Sequence, residues 1–165
     1  MNRILLTAIL FASVTIAQLG KVPPLKFQMA DGREASIQKF LDDGLLLIEY
    51  WALWCAPCLK KMPHLNKLQN DFEAEGLTIL VINIDSERSV SKVKSYMRSK
   101  GYTLPVALDP SQETYRLLNG IAMPYSVLID QLGSIIYRHS GYAPGDERII
   151  KEKIEAAIQS SHNTS

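Results

Sequence analysis

Residues 45–58 have the sequence LLLIEYWALWCAPC, and this stretch decides how the rest of the chain is interpreted. The apolar run Leu45–Trp51 is interrupted only by Glu49, which predicts a central strand covered on both faces. The segment Cys55-Ala56-Pro57-Cys58 follows at the expected turn into a helix and holds both cysteines of the chain. Two cysteines with this spacing at such a turn indicate a redox-active dithiol.

A structural disulfide is the alternative for this cysteine pair. A disulfide stabilises mainly by restricting the unfolded chain, and its effect grows with the size of the closed loop. Only two residues separate Cys55 from Cys58, so closing this loop removes little entropy. The spacing therefore favours a chemical role.

The composition is that of one globular domain. The 165 residues are 47% hydrophobic and 21% charged. A chain of this length can bury a hydrophobic core without stabilisation by disulfides or bound metal. There are 18 basic and 17 acidic residues, and Arg3 is the only charge among the first 17 residues, so the remainder carries 17 of each sign. This balance argues against nucleic acid as the main partner.

Residues 1–17 predict a secretory signal. Arg3 precedes a charge-free run that ends in Thr15-Ile16-Ala17, which is typical of a small-x-small cleavage site. A retained short anchor is the alternative, although the run is shorter than the ~20 residues that a membrane-spanning helix needs. We therefore expect an exported protein with a single domain over residues 18–160 and a flexible tail over residues 161–165.

Periodicity along the chain predicts the element order β-α-β-α-β-α-β-β-α. The expected strands cover residues 25–29, 45–51, 77–85, 104–108, 125–129 and 134–139, with a further short strand near residues 33–35. The expected helices lie around residues 36–41, 59–75, 90–100, 110–119 and 146–160. This order requires a mixed sheet with helices on both faces.

The helix after the cysteines has an apolar stripe and two adjacent lysines. The stripe contains Cys58, Met62, Leu65, Leu68 and Phe72. Pro63 lies inside the helix, where a proline removes a hydrogen bond and kinks the helix. We interpret Lys60 and Lys61 as solvated surface charges, with added positive potential at the cysteines as the alternative.

Together these features resemble the thioredoxin superfamily. The residues that carry the resemblance are Trp54 to Cys58 after a buried strand, Pro63 in the next helix, and Met123-Pro124 before a strand-hairpin-helix ending. The branch that looks most similar is that of the TlpA/ResA-like thiol-disulfide oxidoreductases. The features shared with it are the exported start, Pro23-Pro24, the Asp31-Gly32 turn and the stretch 106–130.

The resemblance covers roughly residues 22–158 and implies both a fold and a setting. The implied fold is an α/β thioredoxin fold, with a mixed central sheet flanked by helices on both faces and a β extension at the N-terminus. The implied setting is the periplasm or the outer face of a bacterial cytoplasmic membrane. Protein thiols and disulfides are the implied substrates, a thiol-reducing membrane protein is the implied electron donor, and we expect a monomer without cofactor or metal.

Three positions depart from the pattern of the family. Some members carry Glu where this chain has Lys61, and cytosolic thioredoxins carry Lys on the central strand where this chain has Val81. The residue before the special proline is often Thr or Val, and here it is Met123.

The two cysteines are expected to have different roles. The attacking species in disulfide exchange is a thiolate. Cys55 lies at the predicted N-terminus of a helix, where unpaired N–H groups and the helix dipole favour negative charge, so we expect it to be the nucleophile. Cys58, one turn further, is the expected resolving thiol.

Glu49 is the candidate proton acceptor. The resemblance places it on the buried carboxylate that assists proton transfer at the resolving cysteine. A buried carboxyl that lacks a cationic partner can exchange a proton near neutral pH. The alternative is that Glu49 points to solvent or caps a local backbone group.

The expected substrate-binding residues surround the cysteines. Trp54 is expected to form an exposed platform beside Ala56 and Pro57, whereas Trp51 belongs to the core. Following the resemblance, the bond before Pro124 is expected to be cis and to present the backbone of Met123 to an extended substrate.

Other functions compete with disulfide exchange. Met62 and His64 near the cysteines form a soft ligand set that suits Cu(I) and would make the protein a copper metallochaperone. The same dithiol also serves a disulfide-forming oxidase or an isomerase, because direction depends on the reduction potential and the recharging partner. The resemblance favours a reductant.

Overall fold

The computed structural model describes residues 20–162. The predicted signal over residues 1–17 and residues 163–165 of the predicted tail lie outside this range. The strands are β1 Lys26–Met29, β2 Glu34–Ser36, β3 Leu45–Trp51, β4 Leu77–Asn83, β5 Val106–Leu108, β6 Tyr125–Ile129 and β7 Ile135–Ser140. The helices are α1 Ile37–Leu41, α2 Ala56–Phe72, α3 Val90–Ser99, α4 Glu113–Leu117 and α5 Asp146–His162.

All of these strands form one mixed sheet in the order β2-β1-β5-β4-β3-β6-β7. The central strand β3 pairs in parallel with β4 and antiparallel with β6. Every residue of β3 is buried, so both faces of the sheet are covered at its centre. The mixed sheet and the N-terminal β extension, formed by the β1–β2 hairpin beside β5, confirm the predicted architecture.

Two glycines bring β3 and β4 side by side where they begin. Gly44 and Gly76 have φ of 131° and 86°, values that residues with a Cβ rarely adopt. A Cβ on Gly44 would lie 2.7 Å from the carbonyl oxygen of Gly76, which accepts a hydrogen bond from the N–H of Leu45. The register between the two strands therefore depends on the absence of side chains at this crossing.

Helix α2 begins directly after the first cysteine, three residues earlier than predicted. Cys55 is its N-cap residue and Pro57 lies in its first turn, a position where the missing N–H of proline costs nothing. Pro63 lies inside the helix, as expected. The apolar stripe is confirmed, because Cys58, Met62, Leu65, Leu68 and Phe72 are all buried.

Helix α5 covers the sheet beside α2 and contacts β3. Its buried stripe is Ile150, Ile154 and Ile158, as the periodicity predicts. The helix extends to His162, so it includes the first two residues of the segment that was assigned to the tail.

Candidate active site

The two cysteines are joined by a disulfide where β3 leads into α2. The Sγ atom of Cys55 accepts a hydrogen bond from the N–H of Cys58 at 3.3 Å, so this sulfur occupies the capping position of the helix. Unpaired N–H groups at a helix N-terminus favour negative charge. Cys58 is only 1% exposed on the inner face of α2. Cys55 is also buried, at 5% exposure, so the two sulfurs differ mainly in that Cys55 caps the helix.

The loop before Cys55 is held from the end of β4. The carboxylate of Asp85 accepts hydrogen bonds from the N–H of Leu53 and the side-chain amide of Asn83, both at 2.8 Å. The N–H of Ile84 donates to the carbonyl of Trp51 at 3.0 Å. Sequence reasoning did not single out Asp85 or Asn83, because nothing in their spacing indicates that they contact the loop before the cysteines.

A shallow groove of about 550 Å³ lies beside Cys55. It is lined by Trp54, Cys55, Ala56, Pro57, Ile84, Gln112, Tyr115, Ala122 and Met123. The indole of Trp54 is 69% exposed, whereas Trp51 is buried in the core. Of the residues expected to bind substrate, all except Pro124 line this groove. A larger cavity of about 860 Å³ contains neither cysteine, so size alone does not mark the site.

The Met123–Pro124 peptide bond is cis, as the resemblance implies. Pro124 is buried, and its carbonyl accepts a hydrogen bond from the N–H of Gly141 at 2.8 Å. Within residues 20–162, the backbone groups of Met123 form no hydrogen bond. Met123 therefore presents unused backbone donors and acceptors at the rim of the groove.

Glu49 is buried, at 1% exposure, but the expectation that it lacks a cationic partner is wrong. The ammonium of Lys61 lies 2.8 Å from its Oε1 and 2.9 Å from its Oε2. The hydroxyl of Ser126 donates to Oε2 at 2.7 Å and accepts from Lys61 at 2.6 Å. Glu49 therefore neither points to solvent nor caps the backbone, and it belongs to a buried cluster with Lys61 and Ser126.

The interpretation of Lys61 as a solvated charge is also wrong, whereas Lys60 is exposed as expected. Lys61 is 1% exposed because it lies three residues after Cys58 and four before Leu65, on the buried stripe of α2. The helical periodicity places residue 61 on the buried stripe, whereas its residue type favours an exposed position. Ser126 was missed because a serine within an apolar strand carries no such signal.

Two residues of the copper alternative lie in different environments. Met62 is fully buried in the core and His64 is exposed. Among residues 20–162, no group of three or more His, Cys, Asp or Glu side chains is placed to hold a metal ion. The helices of the same range include none that is long and apolar enough to cross a membrane.

A mixed sheet with a Cys-x-x-Cys disulfide at a helix N-terminus and a cis-proline near it defines a thiol-disulfide oxidoreductase of the thioredoxin superfamily. Residues 18–157 match the Redoxin family, and the chain belongs to that family. It is 30% identical over 126 residues to thiol-disulfide oxidoreductase ResA of Bacillus thuringiensis subsp. konkukian, covering 75% of this chain and 70% of that protein. It is 26% identical over 152 residues to thiol-disulfide oxidoreductase ResA of Geobacillus kaustophilus, covering 91% of this chain and 82% of that protein.

Solved structures agree with this assignment. A Chlorobium tepidum protein proposed to be the thiol:disulfide interchange protein DsbE superposes with a TM-score of 0.78 at 26% identity, covering 87% of this chain and 99% of that one. StoA of Bacillus subtilis shares the fold, with a TM-score of 0.66 at 21% identity over 81% of this chain and 97% of that one. The predicted fold and enzyme class are therefore confirmed.

Proposed function

We propose that this enzyme reduces disulfides of protein substrates through Cys55 and Cys58. The observation that carries the proposal is the position of Cys55, whose sulfur caps α2 at the rim of the groove while Cys58 lies inside. Negative charge is favoured on the sulfur that a substrate can reach. The curated relatives named above are thiol-disulfide oxidoreductases, which supports the same reaction here.

The reaction proceeds through a mixed disulfide. The thiolate of Cys55 attacks one sulfur of the substrate disulfide and releases the other as a thiolate, which takes a proton from water. Cys58 transfers its proton to Glu49 and attacks the sulfur of Cys55, which breaks the mixed disulfide and releases the second substrate sulfur as a thiolate. This thiolate takes a proton from water, and the proton on Glu49 returns to solvent before the next cycle. The enzyme dithiol is oxidised to a disulfide, and the substrate gains two electrons and two protons.

The groove binds the substrate as an extended segment. The backbone of Met123 adds a pair of strand-like hydrogen bonds, and Trp54, Ala56 and Pro57 contact the side chains next to the substrate cysteine. Pro124 holds Met123 in place. Backbone recognition of this kind accepts many sequences, which suits an enzyme that acts on several proteins.

Trapping of the mixed disulfide tests the two cysteine roles. The Cys58→Ser variant should accumulate a covalent adduct with a disulfide-containing protein such as insulin, seen by mass spectrometry and released by dithiothreitol. The matched Cys55→Ser variant should form none. Equal trapping by the two variants would contradict the assignment of Cys55 as nucleophile.

We further propose that the protein works outside the cytoplasm as a monomer, with residues 1–17 as its export signal and the rest of the chain as a single domain whose last helix extends to His162. Because the oxidised form must be reduced again after each cycle, a thiol-reducing membrane protein is the proposed electron donor. The reduction potential of Cys55–Cys58, measured by equilibration with glutathione, decides the direction. A value near or above that of the glutathione couple would favour the oxidase or isomerase alternative instead.

A further inference from the structure

Lys61 is a charged residue in the core that the reaction scheme above does not use. Its ammonium contacts Glu49 on β3 and Ser126 on β6, and the residue is only 1% exposed. An ammonium in the core is costly unless its charge is compensated and its hydrogens are bonded. The position beside Glu49 on the neighbouring strand β4 is Val81, so the cation that pairs with Glu49 comes from a helix.

The helix that carries Lys61 is the one that carries the resolving cysteine. Cys58 and Lys61 are three residues apart on α2, and both are buried on its inner face. Side chains with this spacing are neighbours on a helix surface. The ammonium therefore contacts the carboxylate that receives the proton, and it belongs to the residue that follows the resolving cysteine by about one turn of α2.

The two oxygens of Glu49 differ in their hydrogen bonding. Oε2 accepts hydrogen bonds from both Lys61 and Ser126. Oε1 lies 2.8 Å from the same ammonium but accepts no well-directed hydrogen bond within residues 20–162. A buried carboxylate oxygen with an unused lone pair is the natural acceptor in this cluster.

We propose that Lys61 is a positioning residue for the resolving step, which keeps Glu49 ionised and then becomes the counter-ion of the Cys58 thiolate. This inference rests on the proposed role of Glu49. The S–H bond of Cys58 breaks and an O–H bond forms on Glu49, while the ammonium keeps its protons. The three groups together carry zero net charge before and after the transfer. Without Lys61 the same transfer leaves one unpaired negative charge in the core throughout.

Other titratable groups face this cluster from β7 and α5. Burial raises the pKa of Tyr137, and the charges of Asp146 and Glu49 raise it further. The backbone N–H of Ala143 lowers the pKa of Asp146, with smaller contributions from His139 and Lys61. His139 pairs directly opposite Ser126 on the neighbouring strand. None of these groups is an ammonium that could replace Lys61.

The test measures the resolving step alone, in the full-length chain. Cys55 is first converted to a mixed disulfide with thionitrobenzoate, and the release of the coloured thiolate on attack by Cys58 is followed by stopped flow against pH. In the Lys61→Met variant, Glu49 becomes an unpaired buried carboxyl that holds its proton to higher pH. The rate at neutral pH should then fall by about tenfold or more and recover under alkaline conditions.

Matched variants separate this inference from the proposed function. Lys60→Met removes the exposed neighbouring charge and should leave the profile unchanged. The double variant Glu49→Gln/Lys61→Met lacks the acceptor, so it should be slow without the alkaline recovery. If Lys61→Met behaves like the unaltered enzyme while the double variant is slow, Lys61 has no such role. If Lys61→Met and the double variant show the same dependence of rate on pH, Glu49 is not the proton acceptor. In that case the step of the proposed function in which Cys58 gives its proton to Glu49 is wrong.

Two further measurements exclude a purely structural effect. The initial attack of Cys55 on a disulfide reagent should keep its rate in Lys61→Met, because that step does not use Glu49. Lys61→Arg retains the positive charge and should retain the neutral-pH rate. If Lys61→Met does not fold, Lys61→Gln keeps a hydrogen-bond donor without the charge, and the same outcomes apply to it.

Discussion

Glu49 and Asp109 are both carboxylates buried beside the central strands, yet their surroundings differ in kind. Asp109, 5% exposed, accepts hydrogen bonds from the N–H groups of Glu113 and Tyr115 and from the hydroxyl of Thr114, at 2.7 to 3.0 Å. These donors belong to the start of α4, within six residues of the aspartate. Glu49 instead receives an ammonium from α2 and a hydroxyl from β6, 12 and 77 residues away.

The hydrogen-bond partners of the two carboxylates favour different roles for them. Two backbone N–H groups at the start of α4 donate to the carboxylate of Asp109, so it serves as a structural anchor for that helix. The partners of Glu49 are side chains, and one of its oxygens accepts no directed hydrogen bond among the described residues. A charge balanced by side chains is suited to proton transfer, whereas one balanced largely by backbone N–H groups is suited to stability.

The largest expected effect is that of removing one charge from the buried pair. Glu49→Gln leaves the ammonium of Lys61 without its counter-ion, so unfolding in urea at neutral pH should show a loss of about 3–5 kcal/mol. In Glu49→Gln/Lys61→Met both charges are gone, and most of this loss should be recovered. If the double variant is as unstable as the single one, the ion pair is not the source of the effect.

Asp109→Asn should have the second-largest effect. It should lower the stability of the fold without changing the rate of the resolving step. The amide retains one acceptor oxygen but turns an NH₂ group toward donors at the start of α4, which should cost about 2 kcal/mol in urea unfolding. Ser111→Ala, which removes only a longer hydrogen bond of 3.4 Å, is the matched control and should be nearly neutral. A slower resolving step in Asp109→Asn would contradict the contrast drawn between the two carboxylates.

Ser126→Ala tests the uncharged member of the Glu49 cluster. The hydroxyl accepts from Lys61 and donates to Glu49, so its loss should cost about 1 kcal/mol while the ion pair persists. We expect the pH profile of the resolving step to keep its shape. A profile displaced as far as that of Lys61→Met would assign the proton acceptor to the hydroxyl network and not to the ion pair.

Asp146 is bound by both a backbone N–H group and a side chain, so it is intermediate between Asp109 and Glu49. Its substitution should have the smallest effect on stability. The N–H of Ala143 and the ring of His139 contact its carboxylate and hold its pKa below the usual range. A lowered pKa in the folded state contributes stability above the unfolded-state pKa, and this contribution is lost as pH falls through the folded value. Asp146→Asn should therefore lower the free energy of unfolding at neutral pH by less than about 1 kcal/mol. The difference in unfolding free energy between the variant and the unaltered protein, measured in urea, should become smaller at acid pH. A difference that stays constant with pH would show that the charge contributes nothing.

The elements that sequence reasoning placed well are those with a strong local pattern. The bounds of β3 and β6 were predicted to the residue, because each is a mostly apolar run with a single polar residue inside it. The start of α2 was placed late, because the cysteine that caps it is an uncommon N-cap residue. Lys60 and Lys61 show the limit of local reasoning, since adjacent residues of one type have opposite environments.

Three features are evident from the sequence alone: two cysteines at a predicted strand-to-helix turn, a proline before a predicted terminal hairpin, and an acid inside an apolar run. These follow from residue type and spacing along the chain. Only the tertiary structure decided which charge balances that acid, because Lys61 and Ser126 reach Glu49 from separate elements. A buried charge is stable only with a partner in space, and the distance between partners along the chain carries no information about that contact.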